Sequence, residues 1–174
     1  MEDAVKAGEV PIGTPPPGAY GITSVRRNTT FMKTCLFEEW AAKHAGKISF
    51  VHVYPGLVDG EGFYAESQPK WFRWLWPVVK MLLAWYMTSP ETCGEVMVFL
   101  ATERYPAAGM GVEGQEVAVS SRGERGGGAY AVGQRGDEGK GVSWAKVRRE
   151  DTGRVVWQHT MGELERVEKL NWGV

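Results

Sequence analysis

The sequence predicts an α/β fold, and three stretches carry that expectation. Ile48–Tyr54 is a short, nearly continuous apolar run that stops at Pro55-Gly56. Such a run reads as a strand buried on both faces, as in a parallel sheet. Before it, Ser24–His44 sets Met32, Cys35, Leu36 and Trp40 at offsets 0, 3, 4 and 8, one apolar face of a helix. After it, "SPETCGEVMVFLATE" opens with Ser89 as N-cap, Pro90 at the first helical position and Glu91 at the positive end of the dipole.

Taken in chain order, the first element is a loop. "GEVPIGTPPPGAY" holds too many prolines and glycines for a helix or a central strand, so residues 1–19 form a flexible N-terminal loop. In the helix that follows, Glu38, Glu39 and Lys43 point mostly away from the apolar face, and Gly46 is a plausible stop. The strand Ile48–Tyr54 then breaks at Pro55-Gly56, and in open α/β sheets ligands sit just past such strand ends. Residues 57–70 read as loop. "WFRWLWPVVKMLLAWYM", Trp71–Met87, reads as helix, broken or kinked near Pro77. Its tryptophans Trp71, Trp74 and Trp76, at offsets 0, 3 and 5, give no clean stripe, and the segment suits a pocket lid or core better than a membrane contact. Cys93, Val96, Met97 and Leu100 form the buried stripe of the next helix. From Ala107 to Gly141 glycine dominates, with one short strand at Ala129–Val132. In "TMGELERVEKL", Thr160 and Glu163 have capping-box spacing, so a short helix starts there, with Leu164, Val167 and Leu170 on one side. A single strong strand cannot satisfy its own backbone groups. Its neighbours come either from weak segments or from a larger protein of which this is a piece.

Composition narrows the function classes. The chain has 174 residues, which suits one domain, and 43% of them are hydrophobic, enough for a core. A net charge of -1 gives no reason to expect a nucleic-acid partner. Cys35 and Cys93 match no metal spacing and read as two buried, reduced thiols. The acidic start "MEDAVKAGEV" is not a secretory signal, so the expected location is cytoplasmic, and the sequon at Asn28 carries no meaning there. Trp71–Met87 is interrupted by Arg73, Pro77 and Lys80, and no membrane span is expected. His52, alone within a strand, reads as a hydrogen-bonded core residue, and no metal site is expected. Ser24 lacks the strand–turn–helix setting of a hydrolase nucleophile. "GMGVEG", Gly109–Gly114, has the spacing of a dinucleotide fingerprint, but it follows a Pro-Ala-Ala turn and opens no helix, so it reads as a glycine-rich linker.

"YGITSVRRNTTFMKTCLFEEWAAKHAGKISFVHVYPGLV", Tyr20–Val58, resembles the later half of a short-chain dehydrogenase/reductase, and within that family the fungal oxidoreductases, some of them in secondary metabolism. The likeness runs from residue 15 to about 135 and is most specific over Tyr20–Gly56. It implies a Rossmann-like, doubly wound sheet that lacks the N-terminal glycine-loop half. It also implies residues 20–135 as the C-terminal part of such a domain, and 136–174 as a tail with the short helix. Tyr20 matches the catalytic tyrosine. Pro55, Gly56 and Val58 match the loop whose backbone lies against the nicotinamide. "GGAYAVGQRGDEG" resembles the last strand and its turn. The implied activity is NAD(P)-linked interconversion of an alcohol and a ketone on a small apolar substrate, and the implied assembly is a homo-oligomer.

Four positions depart from the family pattern. The lysine expected four residues after the tyrosine is Ser24, with Arg26 and Arg27 the nearest cations. The threonine of the Pro-Gly loop falls at Gly60, preceded by Asp59, whose carboxylate beside a cofactor phosphate would repel it. The first nineteen residues hold no serine to orient the substrate. The phosphate loop of the first βα unit has no room ahead of Tyr20. The sequence is therefore expected to be a C-terminal portion of the family, and three readings stay open. It is an oxidoreductase completed by a complementary N-terminal portion, a truncated non-catalytic remnant, or an interaction protein whose aromatic helix binds a membrane or a partner.

Overall fold

The computed structural model describes residue 2, residues 10–111 and residues 114–172. The rest of the opening "MEDAVKAGEV" and the middle of "GMGVEG" lie outside the described residues. Among the described residues, the helices α1 (Ile22–Lys43), α2 (Lys70–Leu83), α3 (Pro90–Leu100) and α4 (Thr152–Trp172) are interspersed with four short strands. The strands are β1 (Phe50–Val53), β2 (Leu57–Val58), β3 (Met87–Thr88) and β4 (Ala129–Val132). They form two two-stranded sheets, β1 with β4 and β2 with β3. The fold is mixed α/β, an incomplete Rossmann-like arrangement. The chain divides into two compact units. One holds residues 1–52, 103–131 and 138–174, and the other residues 53–102 and 132–137.

The strong strand finds its partner in a weak segment. Phe50 N–H donates to the Gly128 carbonyl at 2.9 Å, and Tyr54 N–H donates to the Val132 carbonyl at 2.9 Å. Both ends of the ladder advance in the same direction, so β1 and β4 are parallel, with α2 and α3 in the connection between them. In β4, Ala129, Tyr130 and Val132 are buried. The Tyr130 hydroxyl donates to the Pro106 carbonyl at 2.7 Å. Gly128, at φ +79, leads into the strand, and a Cβ there would lie 2.6 Å from the Ala108 backbone nitrogen. A side chain would strain that approach twice over.

In the first unit α1 packs on α4. The core is Phe31, Cys35, Trp144, Val147 and Val156, with Phe31 set edge-on to Trp144 at 5.4 Å. Trp40 meets Trp157 edge-on at 6.4 Å, and the Lys43 ammonium lies 3.0 Å over the Trp157 ring. Burial lifts the Cys35 thiol pKa to about 12, as for an inert packing thiol.

The buried face of α1 differs from the expected one. It consists of Asn28, Phe31, Thr34, Cys35, Glu38 and Ala41, while Met32, Leu36 and Trp40 are half-buried. Glu38, expected to point away, is buried because its charge is met there. Arg148 donates to both of its oxygens at 2.7 and 2.6 Å. Arg122 adds a third ion-pair contact at 3.1 Å, and the Ser121 hydroxyl donates at 2.5 Å. Burial raises the Glu38 carboxyl pKa, but the Arg148 hydrogen bonds and charge, with Ser121 and Arg122, outweigh it and hold it below the ordinary value. Asn28 is also inside, its side-chain amide donating to the Gly13 carbonyl at 2.9 Å.

The last helix is longer than expected. α4 begins at Thr152, so Thr160 and Glu163 lie inside it. The Thr160 hydroxyl donates back to the Val156 carbonyl at 2.8 Å, and Glu163 pairs with Arg166 one turn on, at 2.7 Å. The capping-box spacing is there without a helix start to cap.

In the second unit β2 and β3 pair in parallel, Leu57 opposite Met87 and Val58 opposite Thr88. The aromatic segment is helical as far as Leu83 and runs through Pro77, and Met87, expected in that helix, belongs to β3. The cap of α3 is as expected, with Ser89 Oγ accepting the Thr92 N–H at 3.1 Å. Of its expected stripe Leu100 is buried, Cys93 and Val96 are half-buried and Met97 is exposed.

Candidate functional site

Tyr20 belongs to the first unit and Pro55, Gly56 and Val58 to the second. A 3-10 turn, Pro17–Ala19, delivers Tyr20 to the start of α1. The ring is 65% exposed and lines an open groove of about 600 Å³, with Asn28 and Met32 from α1 and His159, Glu163 and Arg166 from α4. The sequence alone does not point to the groove residues from α4. They stand about 140 positions beyond Tyr20, and no local signal links them to it.

Ser24, at the family's lysine position, is fully used by the backbone. Its hydroxyl lies 2.6 Å from the Ala19 carbonyl and 3.0 Å from the Gly21 carbonyl, tying the helix start to the turn before it. Arg26 is exposed and Arg27 half-buried. Arg27 Nε lies 3.5 Å from the Asn28 side-chain oxygen.

The Pro-Gly loop leaves β1 with Gly56 at φ +76, a conformation that favours glycine. A Cβ on Gly56 would run into the Gln134 side chain and come within 3.1 Å of the Thr88 hydroxyl. Val58 is committed to the β2–β3 ladder. Just beyond, Asp59 pairs with Lys80, and the Tyr64 hydroxyl donates to it at 3.0 Å. The Lys80 hydrogen bond, helped by Tyr64 and the Lys80 charge, keeps the Asp59 carboxyl below its usual range. Its negative charge is therefore compensated within its own loop and helix.

His52 is hydrogen-bonded, as the sequence suggests, but half-buried rather than in the core. The Thr34 hydroxyl donates to the Thr30 carbonyl at 2.8 Å and lies 3.2 Å from His52 Nδ1. Its one proton is used, so Nδ1 carries the hydrogen of that contact. Burial first, and the Lys33 charge second, push the His52 pKa down. Among the described residues no three of His, Cys, Asp and Glu gather closely enough to hold a metal ion. None of the described helices is long and apolar enough to cross a membrane.

A parallel β1–β4 pair joined through helices, a tyrosine opening the helix before β1 and a Pro-Gly loop after it are the parts of a short-chain dehydrogenase/reductase. The chain belongs to that family as a partial match to its members. It is 45% identical to the short-chain dehydrogenase/reductase SAT2 of Stachybotrys chartarum over 98% of its own length and 49% of that protein. An oxidoreductase of Emericella nidulans is 30% identical, over 81% of this chain and 44% of the relative. The oxidoreductase andH of Emericella variicolor is 28% identical, over 84% and 45%. The chain thus spans about half the length of the curated relatives it matches. No protein-family model matches it, and no solved structure matches it.

The family implies a nicotinamide dinucleotide, and the residues of this chain fit it poorly. Gln134 fills the space beside Gly56, the ladder takes up Val58, and Ser24 replaces the lysine that would hold the ribose. Among the described residues no glycine-rich turn joins a strand to a helix N-terminus where a pyrophosphate would rest.

Proposed function

We propose that this chain is the substrate-side portion of a cytoplasmic oxidoreductase that interconverts an alcohol and a ketone on a small apolar substrate with NAD(P), in fungal secondary metabolism. It becomes active when a complementary portion supplies the dinucleotide site, either within a longer product or from another chain in an oligomer. The observation that carries this reading is 45% identity over 98% of the chain to a protein named as a short-chain dehydrogenase/reductase, of which it spans 49%. In this role the Tyr20 phenol gives its proton to the carbonyl oxygen of the substrate, or takes it back from the alcohol. Its exposure in an open groove leaves the hydroxyl accessible to a substrate oxygen. Nothing in the reading requires nucleic acid.

The test is reconstitution. The chain is titrated calorimetrically with NADH and NADPH, alone and mixed with the part of the Stachybotrys relative that it does not match. We expect no micromolar binding to the chain alone. The mixture should bind cofactor and reduce apolar ketones, and Tyr20→Phe should abolish reduction while leaving binding intact. Equal turnover by Tyr20→Phe would remove the tyrosine from the chemistry. A second reading, a non-catalytic remnant, is favoured by Ser24 being bonded to backbone carbonyls where the family has its lysine. A mixture that binds cofactor and never turns over would select it.

A further inference from the structure

Helix α2 and the turn after it hold three of their four tryptophans outward. Trp71, Trp74 and Trp85 are 68%, 86% and 84% exposed, and Leu75, Val78, Met81 and Leu82 are exposed with them. Their offsets from Trp71 are 3, 4, 7, 10, 11 and 14, a single stripe at helical spacing. Trp76 is off that stripe. It faces inward, buried and stacked on Phe63 at 4.0 Å. The stripe runs the length of α2 and continues at Trp85 in the turn that follows, on the order of 20 Å.

Charge along this segment is one-sided. Residues 67–90 contain no aspartate or glutamate, but they contain Lys70, Arg73 and Lys80. Lys70 and Arg73, at offsets 0 and 3, lie on one flank of α2 beside the apolar stripe, and Lys80, at offset 10, lies next to inward-facing Trp76. Lys80 is engaged by Asp59, whereas Lys70 and Arg73 are exposed. Amphipathic rings above an apolar stripe, with basic side chains along its edge and no carboxylate to repel lipid phosphate, are the makings of a helix lying in a membrane interface.

We propose that α2 is a membrane-surface anchor that binds anionic phospholipid bilayers. Trp71, Trp74 and Trp85 enter at headgroup depth, with Leu75, Val78 and Leu82 below them, while Lys70 and Arg73 meet lipid phosphates. The helix lies on the bilayer and does not span it.

The test is co-sedimentation of the 174-residue chain with vesicles of phosphatidylcholine alone or with about 30% phosphatidylserine, a membrane that attracts basic segments at about 1 kcal/mol per cation. The chain should pellet with the anionic vesicles and dissociate as salt is raised. Brominated lipid should quench its tryptophan emission. Trp74→Glu/Trp85→Glu and Lys70→Glu/Arg73→Glu should each weaken partition at least about tenfold, with unchanged circular dichroism. Wild-type chain that stays in the supernatant, or binds unquenched, overturns the proposal whether or not the variants fold. So does equal pelleting with the neutral vesicles, or pelleting that survives both double substitutions. A wild-type dimer that Trp74→Glu/Trp85→Glu converts to monomer would assign the stripe to a second copy and overturn it too.

Discussion

Helices α1 and α2 bury the opposite of what their compositions suggest. α1, which contains "RRNTT" and two adjacent glutamates, buries Asn28, Thr34 and Glu38 among its core residues. α2, "KWFRWLWPVVKMLL", has a single buried residue, Trp76. The difference lies in what faces each helix. α1 meets Trp144, Val147 and Val156, and Arg148 and Ser121 satisfy the carboxylate it carries inward. Apolar character sets how much a helix gains from a partner, and the partner decides whether burial happens.

The sharpest way to break the contrast is to remove the partner that lets α1 bury a charge. Arg148→Ala leaves Glu38, with a side chain 2% exposed, held by Ser121 and the more exposed Arg122. A loss of about 3–5 kcal/mol is expected from urea denaturation. The pH profile has a definite sign. The folded Glu38 pKa is depressed, so its stabilisation is complete above the ordinary value of 4.5 and is lost as pH falls through the folded one. Arg148→Ala should flatten that acid limb. An unchanged urea midpoint would mean that Arg122 alone suffices.

Within α2 the contrast is between neighbouring tryptophans. Trp76→Ala removes the ring stacked on Phe63 and packed at 5.6 Å against Phe72. It should cost about 3 kcal/mol, the lower end for a large buried aromatic, because a thinly covered region collapses easily. Trp74→Ala, at 86% exposure, should shift stability by no more than about 0.5 kcal/mol. Far-UV melts of the two variants decide it. Equal costs would refute the division of α2 into an inner and an outer face.

Local signals made part of this molecule legible. The extent of α1, the strand at residues 50–53, the Ser89 cap and the short strand at 129–132 each rest on residues within a turn or two of one another. The Glu38–Arg148 pair joins side chains 110 positions apart, and hydropathy alone assigns a glutamate to the outside. Thr160 and Glu163 mimic a helix start, because capping-box spacing also occurs inside helices and the beginning at Thr152 carries no comparable signature. Inward-facing Trp76 hides the stripe on α2 among the tryptophan offsets. Once the inward-facing residue is set aside, the remaining tryptophans align. At the candidate site, Tyr20 and Pro55-Gly56 are legible by resemblance. The groove beside Tyr20 is not, since one wall of it comes from α4.

A smaller effect probes the second unit at its best-formed local feature. Ser89→Ala deletes the acceptor for the Thr92 N–H at the start of α3 and should cost about 1 kcal/mol, with Ser89→Gly costing less. If both substitutions are silent in urea denaturation, α3 is held by its packing at Leu100 and the cap adds nothing measurable.

The smallest effect returns to α1, at its contact with β1. His52 is pushed down in pKa by burial and by the Lys33 charge, and its Nδ1 lies 3.2 Å from the Thr34 hydroxyl. The unfolded chain therefore binds a proton that the folded chain refuses. Stability is complete above the ordinary histidine value of 6.5 and falls as pH drops through it toward the depressed folded value. His52→Gln keeps a donor and removes the titration, so its urea midpoint should lose the decline between neutral and mildly acidic pH. This loss should be smaller than the Ser89 effect. If the decline persists in His52→Gln, His52 is not its source, and the first unit does not sense pH at this strand.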